Sequence, residues 1–131
     1  WRLRDILVRG NATEMAALSL DLAAAKGVTR VTTGKVDRIE SSAVSFAVAH
    51  GHPLMTRVTG IGCAAGALIA ACCAVEANKA VAAAAALTAY GIAGEIAAER
   101  CRGPGSFEVE LIDAVAAMDA ATLAARMGTG R

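Results

Sequence analysis

The chain has 131 residues, a formal net charge of +1 and 3% aromatic residues. That length supports one domain with a real core, and 1–131 is read as a single domain. A near-neutral balance and so few aromatic rings exclude the basic face and stacking platforms of a nucleic-acid binder.

Asp5 to Arg9 is a short apolar run closed by Gly10, which predicts a buried strand. Asn11 is placed to cap a helix running to Ala25, with Glu14 at the capping-box position and Gly27 as the residue that ends it. Val28 to Thr33 reads as a second strand, closed by Gly34. Strand, helix and strand in that order imply a parallel pair with a right-handed crossover. Lys35–Glu40 and Ala43–Ala49 alternate around Ser41-Ser42, as a hairpin does. His50-Gly51-His52-Pro53 is a loop. Helices are expected over Cys63–Glu76, from an Asn78 cap to about Cys101, from a Ser106 cap starting at Phe107, and over Asp119–Met127. The tail from Gly128 reads as loose. The class is α/β: a partial layered sheet with a βαβ unit and a hairpin, then a C-terminal helical bundle. The helix from Asn78 to Cys101 is apolar nearly all round, so it is expected to be buried or to pack on another subunit.

The chemistry concentrates in Val58-Thr59-Gly60-Ile61-Gly62-Cys63. Glycines allow a tight turn and close approach to a ligand. The first N–H groups of a helix lack internal partners and lie at the positive end of its dipole. Gly60, Ile61, Gly62 and Cys63 therefore make a candidate anion site. The same field favours the Cys63 thiolate. The competing structural reading is a tight connection followed by a small buried cysteine.

Cys63, Cys72, Cys73 and Cys101 form no C-x-x-C pair, so neither zinc nor a disulfide framework is indicated. Free thiols fit a reducing cytoplasm. His50 and His52 have no third ligand nearby in sequence, which argues against a metal pair. The apolar run Ala80–Gly94 is short for a bilayer span, so no membrane partner is expected. The chain starts at Trp1 within what already reads as structure, and is expected to be a portion of something longer.

Five motifs occur in one order: Arg9-Gly10-Asn11-Ala12-Thr13-Glu14, Thr33-Gly34-Lys35-Val36-Asp37, the stretch Gly51 to Cys63, Tyr90-Gly91-Ile92-Ala93-Gly94-Glu95, and Gly103-Pro104-Gly105-Ser106-Phe107. Together they resemble the C-terminal half of the hydroxyethylthiazole kinase family, thiamine-salvage enzymes of the ribokinase-like fold. The resemblance implies transfer of the γ-phosphate of ATP to the hydroxyl of 4-methyl-5-(2-hydroxyethyl)thiazole, with Mg²⁺. It implies that Cys63 stands beside the substrate hydroxyl, where relatives in the wider superfamily carry an Asp base. It implies that Gly60 contacts the substrate and that Gly60 to Cys63 form the anion hole. Arg9 and Thr33 match positions that contact ATP, and Asn11 and Glu14 form the Asn-x-x-Glu motif at the Mg²⁺ site.

Each assignment has a plainer counterpart. Arg9 can be a solvated strand end, Glu14 only a cap, and Thr33 only the close of a strand. Two departures from the family stand out: Ile61 replaces a usual Thr, and the stretch between the first helix and the Val28 strand is short. The family's N-terminal half, with much of its sheet, a thiazole-contacting Met and another acidic Mg²⁺ residue, has no counterpart in these residues. Family members form trimers with sites at subunit boundaries, so a homo-oligomer or a complementary chain is expected. Two other functions remain open: a non-catalytic assembly module, and a kinase for another small alcohol.

Overall fold

The computed structural model describes residues 6–17 and 27–128. Four strands form one sheet in the order β1-β2-β3-β4: β1 (Ile6–Asn11), β2 (Val28–Thr33), β3 (Asp37–Glu40) and β4 (Ser45–Val48). β1 and β2 are parallel, and the other two pairs are antiparallel. α1 (Ala12–Ala17) leaves the end of β1, so the expected βαβ unit and hairpin are both present. The predicted reach of that helix to Ala25 lies outside the described residues, as does Asp5. β1 runs past the expected end at Arg9, because Gly10 and Asn11 keep pairing with Thr32 and Thr33.

The helices follow in sequence: α2 (Ile61–Val75), α3 (Lys79–Arg100), α4 (Pro104–Ala116) and α5 (Ala120–Met127). Asn78 caps α3 by accepting from the N–H groups of Ala80 and Val81 at 3.1 and 3.2 Å, and Asp119 caps α5 by accepting from Thr122 N–H at 2.8 Å. Two starts differ from expectation. α2 begins at Ile61 because Gly60, in the left-handed region at φ +89°, turns the chain into the helix, and its carbonyl accepts from Ala64 N–H at 2.9 Å. α4 begins at Pro104, whose fixed φ suits a first helical position. Ser106 is therefore not its cap; from inside the first turn its hydroxyl accepts from Arg102 N–H at 2.9 Å and donates to the Gly103 carbonyl at 3.2 Å.

α3 is the central element. It packs on α2, α4 and the strands β2, β3 and β4, and twelve of its residues are buried, from Ala80 to Ala97. Its composition would also suit a membrane span, but its burial marks the core helix of this fold. Alanine lets its neighbours approach closely, and Val31, Ile39, Ile92 and Phe107 fill the space between sheet and helices. Of the two alternatives expected for α3, burial is the one the structure shows: elements of this same chain cover its buried residues. α2 is more open than α3, with only Ala65 and Ile69 buried, and Val75 at its end is 89% exposed.

Candidate active site

The ends of the parallel strands set the site. Asn11 and Thr33 stand opposite one another in register, as do Arg9 and Val31, and Val31 faces Ile39 on β3. Strand alternation therefore puts Arg9, Asn11, Thr33 and Asp37 on one face of the sheet, at the carboxyl ends of β1 and β2. Ligands of open α/β sheets bind at such strand ends.

Asn11 and Glu14 form a complete capping box. Asn11 N–H donates to Glu14 Oε2 at 2.7 Å, and Glu14 N–H donates to Asn11 Oδ1 at 2.9 Å. Gly10 leaves room for that carboxylate, since a β-carbon there would lie 2.9 Å from Glu14 Cβ and 3.0 Å from Oε2. Thr33 donates a long hydrogen bond, 3.4 Å, to the Gly10 carbonyl and is partly exposed.

Arg9 crosses from the sheet to α2. A β-carbon on Gly62 would sit 3.1 Å from Arg9 Nη2, and one on Gly66 would sit 3.6 Å from Nη1. The guanidinium thus lies along the first turns of α2, where the absence of side chains admits it. Its Nε is buried without a hydrogen-bond partner. Its charge reaches Asp37 and Tyr90. Burial holds the Asp37 carboxyl above its ordinary value, against the opposing pull of the Gly34 N–H, 2.9 Å away, and of Arg9. Burial likewise raises Tyr90, again opposed by Arg9.

The α2 N-terminus has no side-chain cap. Among the described residues, the N–H groups of Ile61, Gly62 and Cys63 meet no acceptor. Cys63 is exposed as the third helical residue, next to the glycine against which Arg9 rests. Tyr90, on α3, donates its hydroxyl to the Ile61 carbonyl at 3.1 Å. A groove of about 230 Å³ opens beside this turn, between Gly60, Ile61 and Leu68 on one side and Glu108, Leu111 and Val115 of α4 on the other. Ile61, the departure from the family pattern, is a groove wall that packs against the core.

The structure therefore brings Arg9 together with Gly62 and Gly66, with Cys63 following Gly62 in the chain, and Asn11 together with Glu14 and Thr33. For a cation, Glu14 offers one carboxylate oxygen outside the capping box, while Asn11 Oδ1 is already engaged. Among the described residues no three acidic, His or Cys side chains cluster as a metal cage. This donor set fits Mg²⁺ held mainly by phosphates and water, with one protein carboxylate. Sequence reasoning quoted Tyr90, Glu95 and Asp37 only as parts of motifs. The signal for the first two was their spacing: Tyr90 with Gly94, and Gly91 with Glu95, each lie four apart on one helical face.

The sequence profile of the hydroxyethylthiazole kinase family matches residues 8–121. The chain is 42% identical over 139 residues to a hydroxyethylthiazole kinase of Granulibacter bethesdensis, covering 89% of this chain and 51% of that protein. It is 38% identical over 152 residues to one of Nitratidesulfovibrio vulgaris, covering 99% and 57%. The structure of a hydroxyethylthiazole kinase protein from Pyrococcus horikoshii superposes with a TM-score of 0.82 at 34% identity, over 90% of this chain and 51% of that one. The chain spans about half the length of the relatives it matches. The expected ribokinase-like fold is the fold of that structural neighbour. By profile, sequence and structure, this chain belongs to the hydroxyethylthiazole kinase family.

Proposed function

We propose that these residues form the phosphate-handling part of an ATP-dependent hydroxyethylthiazole kinase. The observation that carries this reading is the Arg9 guanidinium seated against Gly62, beside an α2 N-terminus whose N–H groups await an acceptor. Phosphoryl transfer needs positioning and charge stabilisation more than covalent help from the protein. Arg9 presents planar donors to the phosphates of ATP. The Thr33 hydroxyl, at the end of β2, supplies a further contact. The N–H groups of Ile61, Gly62 and Cys63 face the charge that develops on the transferred group, and the Gly60 turn orients them.

Cys63 Sγ takes the proton of the substrate hydroxyl as that oxygen forms its bond to the γ-phosphorus and ADP departs. Glu14 is the carboxylate that would hold Mg²⁺, which would supply charge neutralisation to the phosphates. The apolar groove between α2 and α4 adjoins the same turn and accepts an uncharged portion of a substrate.

The four free cysteines support a cytoplasmic setting. Val75, Val109 and Ile112 are exposed, which supports association with another copy or with a complementary chain. Sedimentation at micromolar concentration is expected to show association, and a concentration-independent monomer refutes it. The function is tested by calorimetric titration with ATP and Mg²⁺ and by phosphorus NMR of the thiazole alcohol. ATP binding that Arg9→Ala abolishes is expected. Binding that Arg9→Ala leaves unchanged refutes the assignment. Failure to phosphorylate the thiazole in a protein that phosphorylates another alcohol overturns the substrate alone.

A further inference from the structure

The loop that leads into the anion hole is held from behind by one face of α3. Glu95 Oε1 accepts from Gly51 N–H at 3.1 Å and lies 3.1 Å from His50 Nδ1. One turn earlier, a β-carbon on Gly91 would meet the His50 carbonyl carbon and oxygen at 2.6 Å and its Cβ at 2.7 Å. The backbone of His50 is therefore lodged directly on the helix, at a spot only glycine leaves open. A β-carbon on Gly94 would lie 2.6 Å from Met55 Sδ, so the next stretch of the loop lies against the same face. Tyr90 completes the set with its hydrogen bond to the Ile61 carbonyl.

Between these anchors the chain is stiff. His52 Nδ1 accepts from Leu54 N–H at 3.2 Å, Met55 N–H donates to the His52 carbonyl at 2.9 Å, and Thr56 Oγ1 donates to the Pro53 carbonyl at 2.8 Å. These bonds close the 3-10 turn Pro53–Arg57, which packs on α3 and α4. Three residues later Gly60 turns into α2. A displacement at Gly51 is thus carried by a short hydrogen-bonded segment to the N–H groups of Ile61 to Cys63.

We propose that Tyr90, Gly91, Gly94 and Glu95 are the positioning element of the anion hole, with Glu95 its principal positioning residue. The carboxylate fixes Gly51 and His50 at the entry of the loop, the glycines set its distance from α3, and Tyr90 fixes its exit at the first turn of α2. This inference rests on the assignment of Gly60–Cys63 as the anion hole, but it concerns residues on a different helix; of these Tyr90 also lines the groove beside the turn, whereas Glu95 stands behind the loop. A stabilised transition state demands donors held in place before reaction. Displacements near 1 Å cost on the order of 100-fold in rate.

The variants are Glu95→Ala, Glu95→Gln and Tyr90→Phe. Glu95 is 29% exposed, and its loss leaves His50 with access to water, so folding is expected to survive. Gln keeps an acceptor oxygen for Gly51 N–H and is the rescuing variant. Amide hydrogen exchange at the hydrogen-bonded amides of the segment Leu54–Ala64, those of Leu54, Met55 and Ala64, is the primary readout, and inorganic phosphate binding is the second. Glu95→Ala and Tyr90→Phe are each expected to speed exchange over that segment severalfold, with α4 unchanged, and to weaken phosphate binding severalfold; Glu95→Gln restores both. Where turnover is measurable, kcat falls with KM for ATP held within about twofold, because Arg9 is untouched. Exchange at Leu54, Met55 and Ala64 that matches wild type in both Glu95→Ala and Tyr90→Phe overturns the proposal. So does acceleration spread evenly over every helix, which marks a purely structural role. A wild-type protein that lacks kinase activity yet shows the local exchange effect refutes the kinase assignment and leaves the positioning role standing.

Discussion

Gly91→Ala is the sharpest perturbation the structure offers. The added methyl would lie 2.6 Å from the carbonyl carbon and oxygen of His50, and ordinary contact begins near 3.4 Å, so the loop must retreat by about 0.8 Å. Both partners are backbone-held, one in the core helix and one in a loop anchored by Glu95, so no side chain can swing aside. Overpacking of this kind costs about 1–3 kcal/mol, and the rigid partners place it near the upper end. Alanine's preference for a helix interior over glycine offsets about 1 kcal/mol. The net loss is about 2 kcal/mol, or a fall in Tm of roughly 8 °C for a domain of this size. Thermal unfolding followed by circular dichroism measures it. Gly105→Ala is the internal comparison: it lies in α4 with nothing within 4 Å of the added carbon, and is expected to be neutral or slightly stabilising. Gly94→Ala should fall between the two, because the group it displaces is a flexible thioether. A Gly91→Ala protein as stable as wild type refutes the claim that the His50 backbone rests on α3.

Three further outcomes follow from the site. Cys63→Ala is expected to leave ATP affinity nearly unchanged and to lower turnover by about 100- to 10,000-fold, the range of a general base; turnover equal to wild type removes Cys63 from the chemistry. Glu14→Gln keeps the capping-box geometry and loses the charge, so a Mg²⁺ titration of ATP binding should shift to higher concentration while Tm changes little; an unmoved titration leaves Glu14 as a cap alone. Asp37→Asn tests burial. The folded carboxyl titrates above its unfolded value, so the charged form costs stability as pH rises through the folded pKa, and the cost is absent below the unfolded one. Asn still offers an oxygen to Gly34 N–H, so the variant should gain stability over wild type at pH 7 and lose that advantage at pH 3. Equal stability at pH 7 refutes the burial argument.

Local pattern carried much of this molecule into view. Asn11 with Glu14 and Asn78 are caps that sequence chemistry specifies alone, and the structure forms both hydrogen-bonded ends; Asp119, expected as the first residue of the last helix, caps it instead. The glycine pair before Cys63 announced a turn into a helix, and Gly60 makes it. The contacts that close the site were not legible, because they join residues far apart in the chain. Arg9 reaches Gly62 across more than fifty positions, and Glu95 holds Gly51 across forty-four. No local periodicity encodes such a meeting. The Ser106 cap failed for a different reason: a proline at the first helical position and a cap-like serine two residues later compete for the same start, and the fixed φ of Pro104 prevailed. The placement of α3 also needed the fold, since an apolar helix reads the same whether its cover is its own chain or another.

The helices of this chain do not begin alike. α1, α3 and α5 start on a side chain that satisfies their first donors, whereas α2 starts on a bare left-handed glycine. A glycine in place of a capping side chain forgoes roughly a few tenths of a kcal/mol of helix stability. The deficit sits at the one terminus where Arg9 adds positive charge to the helix dipole. An anion arriving there acts as the absent cap, so ligand affinity and fold stability become a single linked quantity at this end of α2. Installing a serine or aspartate at position 60 would strain the turn and fill the donors from within, giving up the vacancy through which binding can stabilise the fold.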